Sequence, residues 1–294
     1  NSLSPFNKTS IISRINRNEK VKVDEMFSEV FQLAEKISGE TDGAFDITVA
    51  PMVNAWGFGF NTGNPPTRQT IDSLRAIVGF HNVALQDGYV IKKNPKTMLD
   101  CSAIAKGYGT DVVARFLKKK GVQNFMVEIG GEIVVNGNSE KLKPWRIGIN
   151  KPTDDSLNTN QAIQDVVSVS NIAMATSGNY RNFYYKNGKK YAHTIDPKTG
   201  YPVQHNILSA TVFADDCATA DAYATSFMVL GLDGAKKILE KHPELCAYLI
   251  YSDQKGSNQI WYSPSTQTTL GKTSFRKSKK NIERCRKISY TIRS

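Results

Sequence analysis

The sequence predicts a single α+β domain of mixed sheets with flanking helices over residues 1–271, followed by a basic C-terminal tail, 272–294. Three observations carry that expectation. Helical and strand periodicities alternate along the chain without an internal repeat. No Pro- or Gly-rich linker interrupts residues 1–271, and the polar stretch 150–160 reads as a surface loop rather than a boundary. Hydrophobic residues make up 40% of the 294, enough for a real core, and no apolar run is long enough to span a membrane.

The elements follow in order. Residues 23–37 place Met26, Phe27, Val30, Phe31, Ala34 and Ile37 at helical spacing, with a stop at Gly39. A shorter helix over 70–78 carries Ile71, Leu74 and Val78 on one face. Strands are expected at 82–85, 89–92 and 97–100, then a helix over 107–120 with Val112, Val113, Phe116 and Leu117 inward. Three short strands, 125–129, 133–135 and 145–149, are separated by glycines. Beyond the loop come strands at 166–169, 172–176, 183–185 and 207–214. The run from Asp216 starts a helix that stops at Gly231, and a last helix over 233–241 has Asp233 as its N-cap.

Charge and cysteines exclude several classes. The tail carries nine Lys or Arg against Glu283 alone, so +8 of the net +11 belongs to it and the body is near neutral. It is expected to be a solvated, poorly ordered end. No aromatic or Gly-rich signature accompanies it, so nucleic acid is not expected as a partner. Cys101, Cys217, Cys246 and Cys285 form no CxxC pair and read as free thiols. No signal-peptide pattern opens the chain, so any export segment has been removed or was never supplied.

The chemistry-bearing segments begin with Asp221 and Thr225, which a helix stacks on one face. A carboxylate beside a hydroxyl suits magnesium, although an exposed, capped first turn has the same spacing. Asp100–Gly109 joins a strand to a helix start, a natural seat for phosphate, and Lys106 in that first turn favours an anion there. Its glycines form neither GxGxxG nor a Walker loop. The turn at Asp42-Gly43 and the aromatics Trp56, Phe58 and Phe60 could approach a flat ligand, or could be a plain turn and core. Gly130-Gly131-Glu132 reads as a bulge or tight turn, and Thr176–Arg181 as a phosphate contact or a turn. His193 stands near a strand end, where it is either a structural residue or a base for a hydroxyl proton. His81, His205 and His242 have no comparable setting, and no nucleophilic triad can be argued.

Together, segments 3–16, 41–59, 100–111, 128–137, 145–152, 176–182, 193–202 and 220–231 resemble the ApbE family in order and separation. These are flavin transferases (FAD:protein FMN transferases), once called thiamine-biosynthesis lipoproteins, and the resemblance covers about residues 4–263. It implies a T-fold-like α+β domain, FAD as substrate, and Mg2+. By residue match, it implies metal ligation by Asp221, Thr225 and the carbonyl of Ala103. Flavin contacts would come from Phe6, Ala44, Phe45, Asp46, Asp100, Lys106, Thr176 and Ile195, and His193 would be the base. Phe6 stands where the family often has Tyr, so stacking survives and the phenol hydrogen bond does not. The tail matches nothing in the family.

The implied reaction is phosphoryl transfer, with Asp221 and His193 as the catalytic pair. A threonine hydroxyl of an acceptor flavoprotein, of the redox-pump subunit type, attacks the riboflavin-side phosphorus and AMP departs. An FAD pyrophosphatase or a non-catalytic FAD-binding protein would share the same motifs. The resemblance also implies a periplasmic, lipid-anchored protein, attached to the inner membrane through a segment upstream of Asn1.

Overall fold

A computed structural model describes residues 2–59, 65–152, 162–179, 183–186 and 189–269. The tail 272–294, Phe60 and the loop around 154–161 lie outside the described residues. Helix α1 (Ile11–Asn16) is capped by Ser10, and α2 (Glu25–Glu40) by Asp24, which accepts from the Phe27 N–H at 2.8 Å. Helix α2 buries Phe27, Val30, Phe31, Ala34 and Ile37, as its spacing predicts, but leaves Met26 exposed. Helices α3 (Ala50–Ala55) and α4 (Arg68–Arg75) enclose a small satellite core of Met52, Trp56, Ile71, Val78 and Ile195. Next come the hairpin β1 (Val83–Gln86)–β2 (Tyr89–Lys92), helix α5 (Ala105–Lys119), and the strands β3 (Phe125–Ile129) and β4 (Glu132–Asn136). A second hairpin, β5 (Trp145–Asn150)–β6 (Ile163–Val169), precedes β7 (Ile172–Gly178). A third pairs β8 (Phe183–Lys186) with β9 (Lys189–Ala192). The chain then runs through β10 (Ile207–Ala214), α6 (Cys217–Lys241), β11 (Cys246–Ser252), β12 (Asn258–Tyr262) and α7 (Pro264–Thr269).

The centre is a six-stranded antiparallel sheet in the order β12-β11-β10-β7-β4-β3. Alternation along each strand divides it into two faces. On one, Ala175, Ala210, Ala214 and Ala247 pack in the same core as Ala218, Ala220, Ala222 and Ala224 of α6. Small residues on both partners seat α6 close to the sheet, with α5 and α2 beside it. On the other face, Ile133, Met174, Phe213 and Tyr248 meet Ile147, Ile149, Val167 and Val169 of the β5–β6 hairpin. An alanine-rich helix needs no apolar stripe when nearly its whole circumference is buried.

Several boundaries differ from the sequence expectation. Residues 97–100 form no strand, because their polar groups bond elsewhere. The Leu99 N–H donates to Asn16 Oδ1, the Asp100 N–H to the Ile47 carbonyl, and the Thr97 hydroxyl to the Ile77 carbonyl. Helix α2 passes through Gly39, and α4 starts at its Thr67 cap and ends before Val78. At Gly231, with φ 73° and ψ 178°, the backbone leaves the helix, so Cys217–Lys241 is two helical stretches that break where the stop is expected. Asp233 lies two residues beyond that break, at the start of the second stretch, and approaches Lys236 at 3.9 Å.

One contact fixes α5 against α6. A Cβ on Gly107 would stand 2.3 Å from the Cys217 carbonyl oxygen and 2.9 Å from Ala218 Cα, so only glycine fits. One turn further along α5, Asp111 accepts from the Cys217 and Ala218 N–H groups, both at 2.8 Å. Asp216 accepts from the Thr219 N–H at 2.8 Å, so the first turn of α6 is satisfied by two carboxylates. We expect Gly107→Ala to cost about 1–3 kcal/mol as an overpacking change. A methyl on Gly109 would meet nothing within 4 Å, so alanine there should add about 0.5–1 kcal/mol of stability. Thermal midpoints of the two variants test the pair, and an unshifted midpoint for Gly107→Ala would contradict the packing argument.

Candidate active site

The contact between α5 and α6 brings together chemistry-bearing side chains from three elements. Asp221 projects from the second turn of α6 and is 2% exposed. Its Oδ2 accepts from the Gly107 N–H at 3.1 Å and lies 3.9 Å from Lys106 Nζ. Helix α5 opens at Ile104 without a side-chain cap, so this carboxylate meets its positive end. Burial pushes the Asp221 carboxyl up to about 6, with the Glu132 carboxylate adding to the effect and Lys106 and Gly107 opposing it. Thr225, one turn on, is the one residue from Ala220 to Val229 that is not buried, and its hydroxyl is 3.1 Å from Ser177 Oγ at the end of β7.

Glu132 completes the cluster, although its sequence context marks only a turn. Gly130 and Gly131 take φ of 66° and 100°, the backbone a two-residue hairpin between β3 and β4 requires. The first residue after that turn is Glu132, 2% exposed and on the sheet face that meets α5. Its Oε1 accepts from Lys106 Nζ, while its buried Oε2 has no partner among the described residues. A buried carboxylate beside a buried carboxylate is a signal the sequence alone could not supply, since six strands, β5 to β10, lie between β4 and α6 along the chain.

The other expected residues are placed as follows. Ala103 lies half-buried just ahead of α5, and Asp100, nearby, accepts from the Ser102 N–H at 2.8 Å. Thr176 turns to the opposite sheet face, where its hydroxyl is 2.9 Å from that of Thr211; Ser177 is the hydroxyl that faces α6. Ala44 and Phe45 are buried, and Ile195 belongs to the satellite core. Asp46 is occupied structurally: Oδ1 accepts from the Thr48 N–H and hydroxyl and Oδ2 from the Phe80 N–H, each at 2.7 Å. Burial raises its carboxyl above the usual range despite those bonds. Phe6 is 78% exposed, with ring surface that a flat ligand can cover. Of the aromatics Trp56, Phe58 and Phe60, Trp56 takes the core alternative, buried and donating its indole N–H to the Gly200 carbonyl at 2.7 Å.

His193 stands half-buried, edge-on to Phe58 with ring centroids 6.5 Å apart. Two bonds link its segment to the metal-type donors: Thr194 Oγ1 donates to Asn179 Oδ1 at 2.7 Å, two residues beyond Ser177, which meets Thr225. His205 has a structural role, its Nε2 donating to the Val229 carbonyl at 2.7 Å beside the Gly231 break. A cavity of about 430 Å³ lies between Trp56 and the 196–205 loop, and it contains neither Asp221 nor Lys106. Cys101, Cys217 and Cys246 are buried free thiols, and burial raises the first two further from reactivity.

Comparison with known proteins bears on the whole of this arrangement. A family model described as the ApbE family matches residues 1–250. The FAD:protein FMN transferase of Haemophilus influenzae is 40% identical over 264 residues, 86% of this chain and 75% of that protein. The protein of the same name from Escherichia coli K12 is 35% identical over 277 residues, 91% of this chain and 77% of its own. Among solved structures, the flavin transferase ApbE from Vibrio cholerae has a TM-score of 0.82 at 35% identity, covering 92% of this chain and 85% of that one. The Pseudomonas stutzeri flavinyl transferase ApbE, in its apo form, has a TM-score of 0.81 at 29% identity, covering 92% and 84%. With a matching fold and a family match across most of its length, the chain belongs to the ApbE family.

Proposed function

We propose that this chain transfers FMN from FAD to a threonine hydroxyl of an acceptor flavoprotein, forming a phosphoester and releasing AMP, with Mg2+ at the Asp221 cluster. The observation that carries the reading is the convergence of Asp221, Lys106 and Glu132 at the start of α5. The donors fit a hard divalent cation: the buried Asp221 carboxylate, the Thr225 hydroxyl and the Ala103 carbonyl are all oxygens. The unpartnered Glu132 oxygen fits as well, since two buried carboxylates face a single ammonium there. When bound, Mg2+ supplies charge stabilisation to a pyrophosphate and its leaving group.

The residues of this chain then divide the work. Lys106 and the first N–H groups of α5 present positive charge to phosphate oxygens. Phe6 offers an exposed ring for stacking on the flavin. His193 takes the proton from the attacking hydroxyl, so the nucleophile belongs to the acceptor and this chain needs none. The family resemblance alone supports a periplasmic setting with lipid attachment. Among the described residues no helix is long and apolar enough to cross a membrane.

Incubating the protein with FAD, Mg2+ and an acceptor peptide bearing a threonine, then reading peptide mass and AMP together, tests the reading. We expect an FMN adduct, its loss in Asp221→Ala, and a fall of about 10²–10⁴-fold in His193→Ala with FAD still bound. AMP and free FMN without an adduct would contradict transfer in favour of hydrolysis. A second expectation concerns pH. The folded carboxyl of Asp221 titrates near 6, above its unfolded value of 3.8, so protonation stabilises the fold. That contribution is present below the unfolded value and lost as pH rises through about 6. In chelator, the wild type should therefore lose thermal stability relative to Asp221→Asn as pH rises from about 5 to about 7. Added Mg2+ should restore it, and parallel profiles would contradict the account.

A further inference from the structure

Lys106 sits where a cation belongs. Its ammonium is bonded to Glu132 Oε1 and lies 3.9 Å from Asp221 Oδ2, between the two buried carboxylates of the site. The carboxylates are each about 3% exposed in their side chains, whereas Lys106 is 47% exposed, so the lysine can withdraw along its own stem and they cannot. One ammonium for two carboxylates leaves a deficit of one positive charge. The structure records it in Glu132 Oε2, buried and without a partner among the described residues. Gly130 keeps the space beside them open, since a Cβ there would lie 3.3 Å from Lys106 Cδ and 3.4 Å from that same oxygen.

We propose that Lys106 is a built-in stand-in for the divalent cation, held over Asp221 by Glu132, and that cation binding releases the ammonium towards the phosphates of FAD. This rests on the reading of Asp221 as a metal ligand. Glu132 is then a positioning residue with two effects: it parks the lysine before the cation arrives, and its charge favours the cation afterwards. Lys106 and Glu132 consequently set cation affinity from opposite sides. Removing the ammonium removes a competitor for the site, while removing the Glu132 charge removes an attraction. A lysine that served FAD alone would leave cation affinity unaffected in the absence of FAD.

Calorimetric titration of Mg2+ into metal-free protein without FAD tests this, using the wild type, Lys106→Met, Glu132→Gln and Asp221→Asn. We expect Lys106→Met to bind Mg2+ about tenfold more tightly than the wild type, and Glu132→Gln about tenfold more weakly. Lys106→Met should at the same time raise the KM for FAD, a split that simple damage to the fold would not produce. Glu132→Asp, which keeps the charge, should recover part of the lost affinity. If Asp221→Asn loses the cation while Lys106→Met binds it no more tightly, or Glu132→Gln binds it as the wild type does, the stand-in is overturned and the metal reading survives. If the wild type binds no Mg2+, or Asp221→Asn binds it undiminished, the metal reading itself fails.

Discussion

The site depends on the absence of one side chain. Because Gly107 has no Cβ, the start of α5 can rest directly on the backbone of Cys217 and Ala218 at the start of α6. Two helix N-termini meeting head to head should repel, since each carries partial positive charge. Acidic side chains at the contact offset that repulsion. Asp111 from α5 caps α6, and Asp221 from α6 meets the Gly107 N–H of α5. The exchange of carboxylates is reciprocal but unequal. Helix α6 is closed by Asp111 and Asp216, whereas α5 lacks a side-chain cap and remains the end suited to phosphate.

From that contact the rest of the arrangement follows. The alanines of α6 and of the sheet bring the helix down onto β7 and β10, which sets Thr225 against Ser177. The tight β3–β4 turn delivers Glu132 to the same place from the other side. Burial makes the Asp221 carboxylate expensive to ionise unless a cation is near. Lys106 supplies one positive charge and does not match two. That imbalance is what the proposed divalent cation would offset.

Local sequence carried much of this. The bounds of β2, β3 and β10 agree with their patterns, and Asp221 and Thr225 lie four apart on a helix, as their spacing predicts. What escaped was information that exists only between elements. Thr176 and Ser177 are adjacent hydroxyls, and which of them faces α6 depends on strand register, where one residue changes the face. Strand β11 went unassigned, and its first five residues are all buried, so it lacks the alternation that identifies a strand. Glu132 looked like the end of a turn because its partners, Lys106 and Asp221, lie far away in sequence. The family resemblance supplied order and spacing, but the charge balance of the site needed three-dimensional neighbours.

The central claim is that the Asp221 cluster is where a divalent cation and the FAD pyrophosphate meet. Anomalous diffraction from crystals grown with Mn2+ and FAD addresses it most directly. The account predicts a manganese peak in contact with Asp221 and Thr225, the pyrophosphate beside it, and the Lys106 ammonium moved from Glu132 to a phosphate oxygen. A manganese peak elsewhere, with the Lys106–Glu132 pair intact and FAD bound away from α5, would contradict it.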